Sequence, residues 1–78
     1  MNLNSVFSHE LFHARSNLGF TQSQVAEAVS ITTRWYQRIE KGERIPSFQV
    51  ALALMLFLDI DTHSLGKAVN FLVPLSAG

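Results

Sequence analysis

Between residues 20 and 44 the apolar positions fall into two short helical phases separated by a polar break. Val25, Ala26 and Val29 make the first phase. Thr21 precedes it, and Gln24 three residues later completes a capping box, with Phe20 and Val25 placed to staple the cap from either side. The phase stops at Ser30-Ile31. Thr32 then opens a second helix, Ile31 and Tyr36 repeat the staple spacing, and Gly42 supplies the left-handed residue that ends it. Helices are predicted over 22–29 and 33–40. A joint of about three residues makes them cross steeply, which is the helix-turn-helix arrangement.

The remaining pattern is also helical. Residues 5–18, capped by Asn4 or Ser5, carry an apolar stripe of Phe7, Leu11, Ala14 and Leu18, and Gly19 closes them. Ser47 caps a helix over Phe48–Leu58. Its expected core face is Phe48, Ala51, Leu52, Met55 and Leu58, but Val50, Ala53, Leu54, Leu56 and Phe57 cover most of the other side. A helix apolar all round is expected to be buried all round. Asp61 or Thr62 starts a fifth helix marked by Leu65, Ala68, Val69 and Leu72, and Pro74 stops it. The expectation is an all-α, compact five-helix domain filling residues 1–78, with the helix-turn-helix at about 21–40 and helices 4 and 5 at about 47–73. Repeats, linkers and strand signals are not apparent.

Composition narrows the setting. Seventy-eight residues, 47% of them hydrophobic and none of them Cys, must stand on a packed core without disulfides or a thiolate zinc site. Residues 1–7 have neither a basic region nor a long apolar run, so no signal peptide is expected. Val50–Leu58 is far short of the roughly 18 apolar residues a membrane span needs. A cytoplasmic protein without membrane contact is the expectation.

The formal net charge is zero, which on its own argues against a nucleic-acid partner. The distribution matters more. Of the six basic residues, Arg34, Arg38, Lys41 and Arg44 lie within 34–44, while Glu10, Glu27, Asp59 and Asp61 lie outside. Glu40 is inside the window but on the apolar side of its helix. The field should be locally positive on a neutral protein, with modest non-specific affinity for DNA. Within helix 33–40, Tyr36 and Ile39 share one side with Glu40 beside them, and Arg34, Gln37, Arg38 and Lys41 fall opposite. Arg pairs with guanine and Gln with adenine, each through two hydrogen bonds. An isolated helix with such a face is more often simply solvated. The capped helix in front of it, at this spacing, favours a reading face.

The first helix contains His9-Glu10-Leu11-Phe12-His13, formally a zinc-peptidase pattern. His9 and His13 point away from Leu11 toward solvent, and a chain of this length has little room for a substrate groove. Two solvated histidines are expected, with no catalytic residue, metal or cofactor.

Taken together, these segments resemble the short transcription regulators of the phage repressor and Cro type, the XRE family. The marks are Ala14-Arg15, Gly19-Phe20-Thr21-Gln22, Val25-Ala26, Arg38-Ile39-Glu40-Lys41-Gly42, Arg44 and Pro46-Ser47, spanning about Leu11 to Ile60. The resemblance implies a lambda repressor-like fold with the third helix in the major groove. It implies that Thr33, Arg34, Gln37 and Arg38 face bases, that Gln22 holds a phosphate, and that Lys41 and Arg44 reach the backbone. It also implies an ion pair between Arg15 and Glu40, two charges that otherwise sit oddly beside apolar stripes. Three departures from the family stand out. Ser30 replaces a usual Gly in the turn, Trp35 replaces a small polar residue, and Val50, Leu56 and Phe57 replace residues that are often polar. The surplus apolar surface of Val50, Leu56, Phe57, Val69, Phe71 and Leu72 is expected to form a homodimer interface. The expected function is a double-stranded DNA-binding regulator that binds a pseudo-palindromic operator. The alternative is a protein-interaction module that kept the fold and lost DNA binding.

Overall fold

The computed structural model describes residues 3–60. Among them are four helices: α1 (Leu3–Leu18), α2 (Gln22–Ala28), α3 (Thr33–Glu40) and α4 (Phe48–Phe57). The described residues form no strand. The predicted fifth helix, with Leu65, Ala68, Val69, Phe71 and Leu72, lies outside the described residues.

Local chemistry fixes each helix start after the first. Thr21 accepts from the Gln24 backbone at 3.0 Å while the Gln24 side chain accepts from the Thr21 backbone at 2.8 Å, a complete capping box. Thr32 accepts from the Trp35 N–H at 3.0 Å and Ser47 from the Val50 N–H at 3.2 Å. All four helix ends share one device. A residue with positive φ follows the helix at Gly19, Ser30, Gly42 and Asp59. The next N–H reaches back five residues: Phe20 to Arg15, Ile31 to Ala26, Glu43 to Arg38 and Ile60 to Met55, at 2.9–3.2 Å. These are Schellman closures. Ser30, at φ 62°, adopts the left-handed backbone that Gly usually supplies in this turn.

The core is Phe7 and Leu11 from α1, Val25 and Ala26 from α2, Tyr36 and Ile39 from α3, and Leu54, Leu58 and Ile60 from α4 and the turn that closes it. Helix α2 packs on α3 and on α4, and α1 packs on α3. The N-terminal half of α1 is tied to the loop after α3. Asn4 donates to the Gly42 carbonyl at 2.8 Å, and a Cβ on Gly42 would come within 3.3 Å of the Ser8 hydroxyl. Glycine therefore serves Gly42 twice, through its φ of +79° and through this close approach.

Several expectations change. Helix α1 begins at Leu3 rather than Ser5, so Asn4 is not a cap but a long-range tether. Leu18 stands at the exposed end of its stripe. The face of α4 is turned: Leu54 and Leu58 are fully buried, with Val50, Ala51 and Met55 packed against the core, whereas Phe48 is 79% and Leu56 74% exposed. The helix is not buried all round among the described residues. Phe57 stacks on Phe20 of its own chain with ring centroids 5.0 Å apart, so part of its surface is already spent.

Candidate nucleic-acid interface

Helix α3 has one face committed to the core. Tyr36 and Ile39 have no exposed surface, and burying two large side chains of an eight-residue helix fixes its rotation. The opposite side is thereby turned outward. Arg34, Gln37, Arg38, Lys41 and Glu43 together line a shallow, open concavity on that side. Thr33 sits at the α3 N-terminus, where its hydroxyl lies 3.3 Å from the Ser23 hydroxyl of α2. Arg44 is exposed in the following loop. Arg34, Gln37, Arg38 and Lys41 are brought together, Thr33 is at the α2–α3 junction, and Arg44 is not part of the concavity's lining.

Glu43 was not accounted for in the charge pattern of the sequence. It lies within the basic window and lines the same concavity as the two arginines. Its position was legible, since residues 34–44 contain two acids rather than one. The local field is therefore less positive than four basic residues imply.

Behind the outward face lies a polar network. Arg15 at the end of α1 meets Glu40 at the end of α3 through two parallel hydrogen bonds, Nε to Oε2 and Nη2 to Oε1, each 2.8 Å. The side chains are 15% and 6% exposed. Arg15 Nη1 also donates to the Phe20 carbonyl at 3.0 Å, which joins the pair to the start of the helix-turn-helix. The guanidinium carbon of Arg15 lies over the Phe12 ring, 5.7 Å from its centroid. Hydrogen bonding to Glu40 raises the Arg15 pKa against the effect of burial. For Glu40, burial pushes the pKa up, but the contact with Arg15, helped by Tyr36 and Gln22, outweighs it and leaves the carboxyl below its ordinary value. The Tyr36 hydroxyl is buried beside this pair and feels both charges, yet no acceptor lies in good hydrogen-bonding geometry. Burial first, then the Glu40 charge, raises its pKa.

The network continues outward. Gln22 Nε2 donates to Glu40 Oε1 at 3.2 Å, and Gln37 Nε2 donates to Gln22 Oε1 at 3.1 Å. The phosphate contact implied for Gln22 thus has a competitor, because both polar atoms of its amide already have protein partners and one N–H remains. Trp35 is half-buried against the core cluster, so its ring packs at least partly on its own protein.

His9 and His13 are exposed, with ring centroids 4.3 Å apart on the outside of α1. Among the described residues no group of three or more His, Cys, Asp or Glu side chains is placed to hold a metal ion. No helix among them is long and apolar enough to cross a membrane.

Known proteins supply one comparison. A family model described as a helix-turn-helix domain matches residues 6–65, most of the chain. No curated protein and no solved structure gives a significant match. The two capped helices, their packing on one another and the outward basic face of the second agree with that match, and the chain belongs to the helix-turn-helix domain family.

Proposed function

We propose that the protein is a sequence-specific transcription regulator of the XRE type that binds double-stranded DNA. One observation carries the reading: with Tyr36 and Ile39 locked in the core, Arg34, Gln37, Arg38 and Lys41 share the free face of α3. Inserted in the major groove, Arg34 and Arg38 offer two-pronged donors to guanine and Gln37 an amide edge to adenine, with Thr33 at the helix N-terminus. In this reading Lys41 and Arg44 contact phosphates. The protein acts without catalysis or cofactor, in the cytoplasm. The interaction-module alternative draws on the zero net charge, but the arginines on the free face oppose it.

The functional unit in this reading is a homodimer. A two-fold pair places two copies of α3 one DNA turn apart, roughly 34 Å, on a pseudo-palindromic site. Exposed Leu56, with Phe48 and Leu52 on the same side of α4, supplies apolar surface for such a contact. Val50 and Phe57 contribute less than their sequence suggests, since both already pack within the chain.

Selection of bound fragments from genomic DNA tests the reading. Enrichment of a short motif with internal two-fold symmetry is the expected result. Recovery of fragments without any common motif, or sedimentation as a monomer both free and on DNA, overturns the corresponding part.

A further inference from the structure

We infer that Gln22 is a positioning residue for recognition, which orients the Gln37 amide so that the protein selects adenine at one position of each half-site. The inference rests on the DNA-reading role proposed for α3 and assigns the polarity of one contact within it.

The argument starts from Glu40. A carboxylate accepts hydrogen bonds and donates none. The Gln22 atom that meets Glu40 Oε1 at 3.2 Å must therefore be the amide nitrogen. That turns the Gln22 carbonyl oxygen toward α3, where it can only accept. Its partner at 3.1 Å must then be the amide nitrogen of Gln37. The orientation of the Gln37 amide is thus dictated across two residues by a charge held beneath them, and Arg15 holds that charge in place at 2.8 Å. A glutamine free in solvent flips its amide at little cost. This one is anchored at one N–H, leaving its oxygen and its second N–H for a ligand.

Gln37 lines the outward concavity. Its remaining pattern is one acceptor beside one donor. In the major groove, adenine presents N6–H as donor and N7 as acceptor, which answers both. Cytosine answers only the acceptor, through its N4 amino group. Guanine presents two acceptors, and would leave the Gln37 oxygen facing another oxygen. Gln22 acts here without touching the base.

The test compares the full chain with three variants, Gln37→Ala, Gln22→Met and the double variant. Each is given the selected site with all four bases at every position. The readout is the ratio of affinities among sites for one preparation, which does not depend on the fraction of protein folded. Wild type should prefer adenine at the position where Gln37→Ala loses its preference. Gln22→Met should reduce that preference about tenfold, the scale of a good two-pronged base contact. It should leave intact the positions read by Arg34 and Arg38, and the double variant should lose no more than Gln37→Ala alone. If Gln22→Met keeps the preference that Gln37→Ala abolishes, the positioning role is wrong while the DNA-reading role stands. If Gln22→Met leaves every ratio unchanged while the absolute affinity of the folded protein, titrated separately, falls for all sites alike, Gln22 is a phosphate contact and the inference is overturned. A guanine or thymine preference at that position overturns the assigned polarity. If wild-type protein discriminates among no sites, the inference falls together with the function it rests on.

Discussion

Removing Arg15 should expose how strongly the domain depends on one ion pair. Arg15→Ala deletes two hydrogen bonds to Glu40 and one to the Phe20 carbonyl. Glu40 remains with its side chain 6% exposed in the parent structure and with Gln22 as a neutral donor. Breaking a buried pair from one side costs about 3–5 kcal/mol, because the surviving charge is stranded. A domain of this size has a total stability of about 5 kcal/mol at the low end of the usual range. The melting temperature should therefore fall by on the order of 20 °C, and the variant should sit close to its unfolding transition at ambient temperature. Urea denaturation at several pH values is the informative assay. In the parent, the Glu40 pKa is depressed on folding. Its stabilising contribution is complete above the ordinary carboxyl pKa of about 4.3 and is lost as pH falls through the lower folded value. In the variant the guanidinium is gone and burial dominates, so the Glu40 pKa rises on folding and the sign reverses. Protonation then relieves the penalty as pH falls, and the gap between parent and variant should narrow from pH 7 toward pH 4. An Arg15→Ala protein within about 1 kcal/mol of wild type at pH 7, a difference expected of an exposed pair, would falsify the assignment of a buried, structural charge. A gap independent of pH would show that Glu40 is not the group left stranded.

Other perturbations separate the roles on the outer face. Arg34→Ala and Arg38→Ala should each cost about 1–3 kcal/mol on the selected site and relax preference at one position, whereas Lys41→Ala should weaken all sequences alike and flatten the salt dependence by about one unit; titrations at several salt concentrations distinguish the two. Glu43→Gln should tighten binding to every DNA sequence, because it removes an acid from the basic concavity; unchanged affinity for random duplex would place Glu43 away from the phosphates. Ser30→Gly should raise stability by up to about 1 kcal/mol, since φ 62° is unfavourable for a residue with a Cβ; a lower melting temperature would mean that the hydroxyl is needed in the turn. Chelation should change neither melting nor DNA binding, given the exposed pair of His9 and His13, which has no third ligand beside it among the described residues; stoichiometric zinc retained through dialysis would contradict this.

What was legible in the chain was mostly local. Thr21 with Gln24, Thr32, Ser47, Gly19 and Gly42 announce helix ends through groups within a few residues of one another, and the structure uses them as caps and closures. Tyr36 and Ile39 were legible because α3 is strongly two-faced. Helix α4 was not, for a physical reason. When nearly every side chain is apolar, each rotation of the helix offers an equally apolar stripe, and only the shape of the neighbouring helices chooses Leu54 over Phe48. Asn4 was misread because its partner, the Gly42 carbonyl, lies 38 residues away. The contact of Gln22 with Gln37 was hidden similarly, as a meeting of two helices that periodicity does not describe.

Stability and recognition pull in different directions at the centre of this network. Apolar residues of similar volume in place of a buried ion pair are often neutral, or stabilising by about 1–4 kcal/mol. Arg15→Met with Glu40→Leu should therefore fold, and can melt above the parent. Yet that protein lacks the carboxylate that accepts from Gln22. Without it the Gln22 amide is free to present either edge to Gln37, and the polarity of the outer contact is no longer determined. The paired change should thus combine retained or increased stability with a loss of adenine preference at the Gln37 position. The effect differs from that of Arg15→Ala, which endangers the fold itself. It also differs from that of Gln22→Met, which leaves the charge pair in place. A double variant that melts higher and still selects adenine at that position would show that the buried charges serve the helix packing alone.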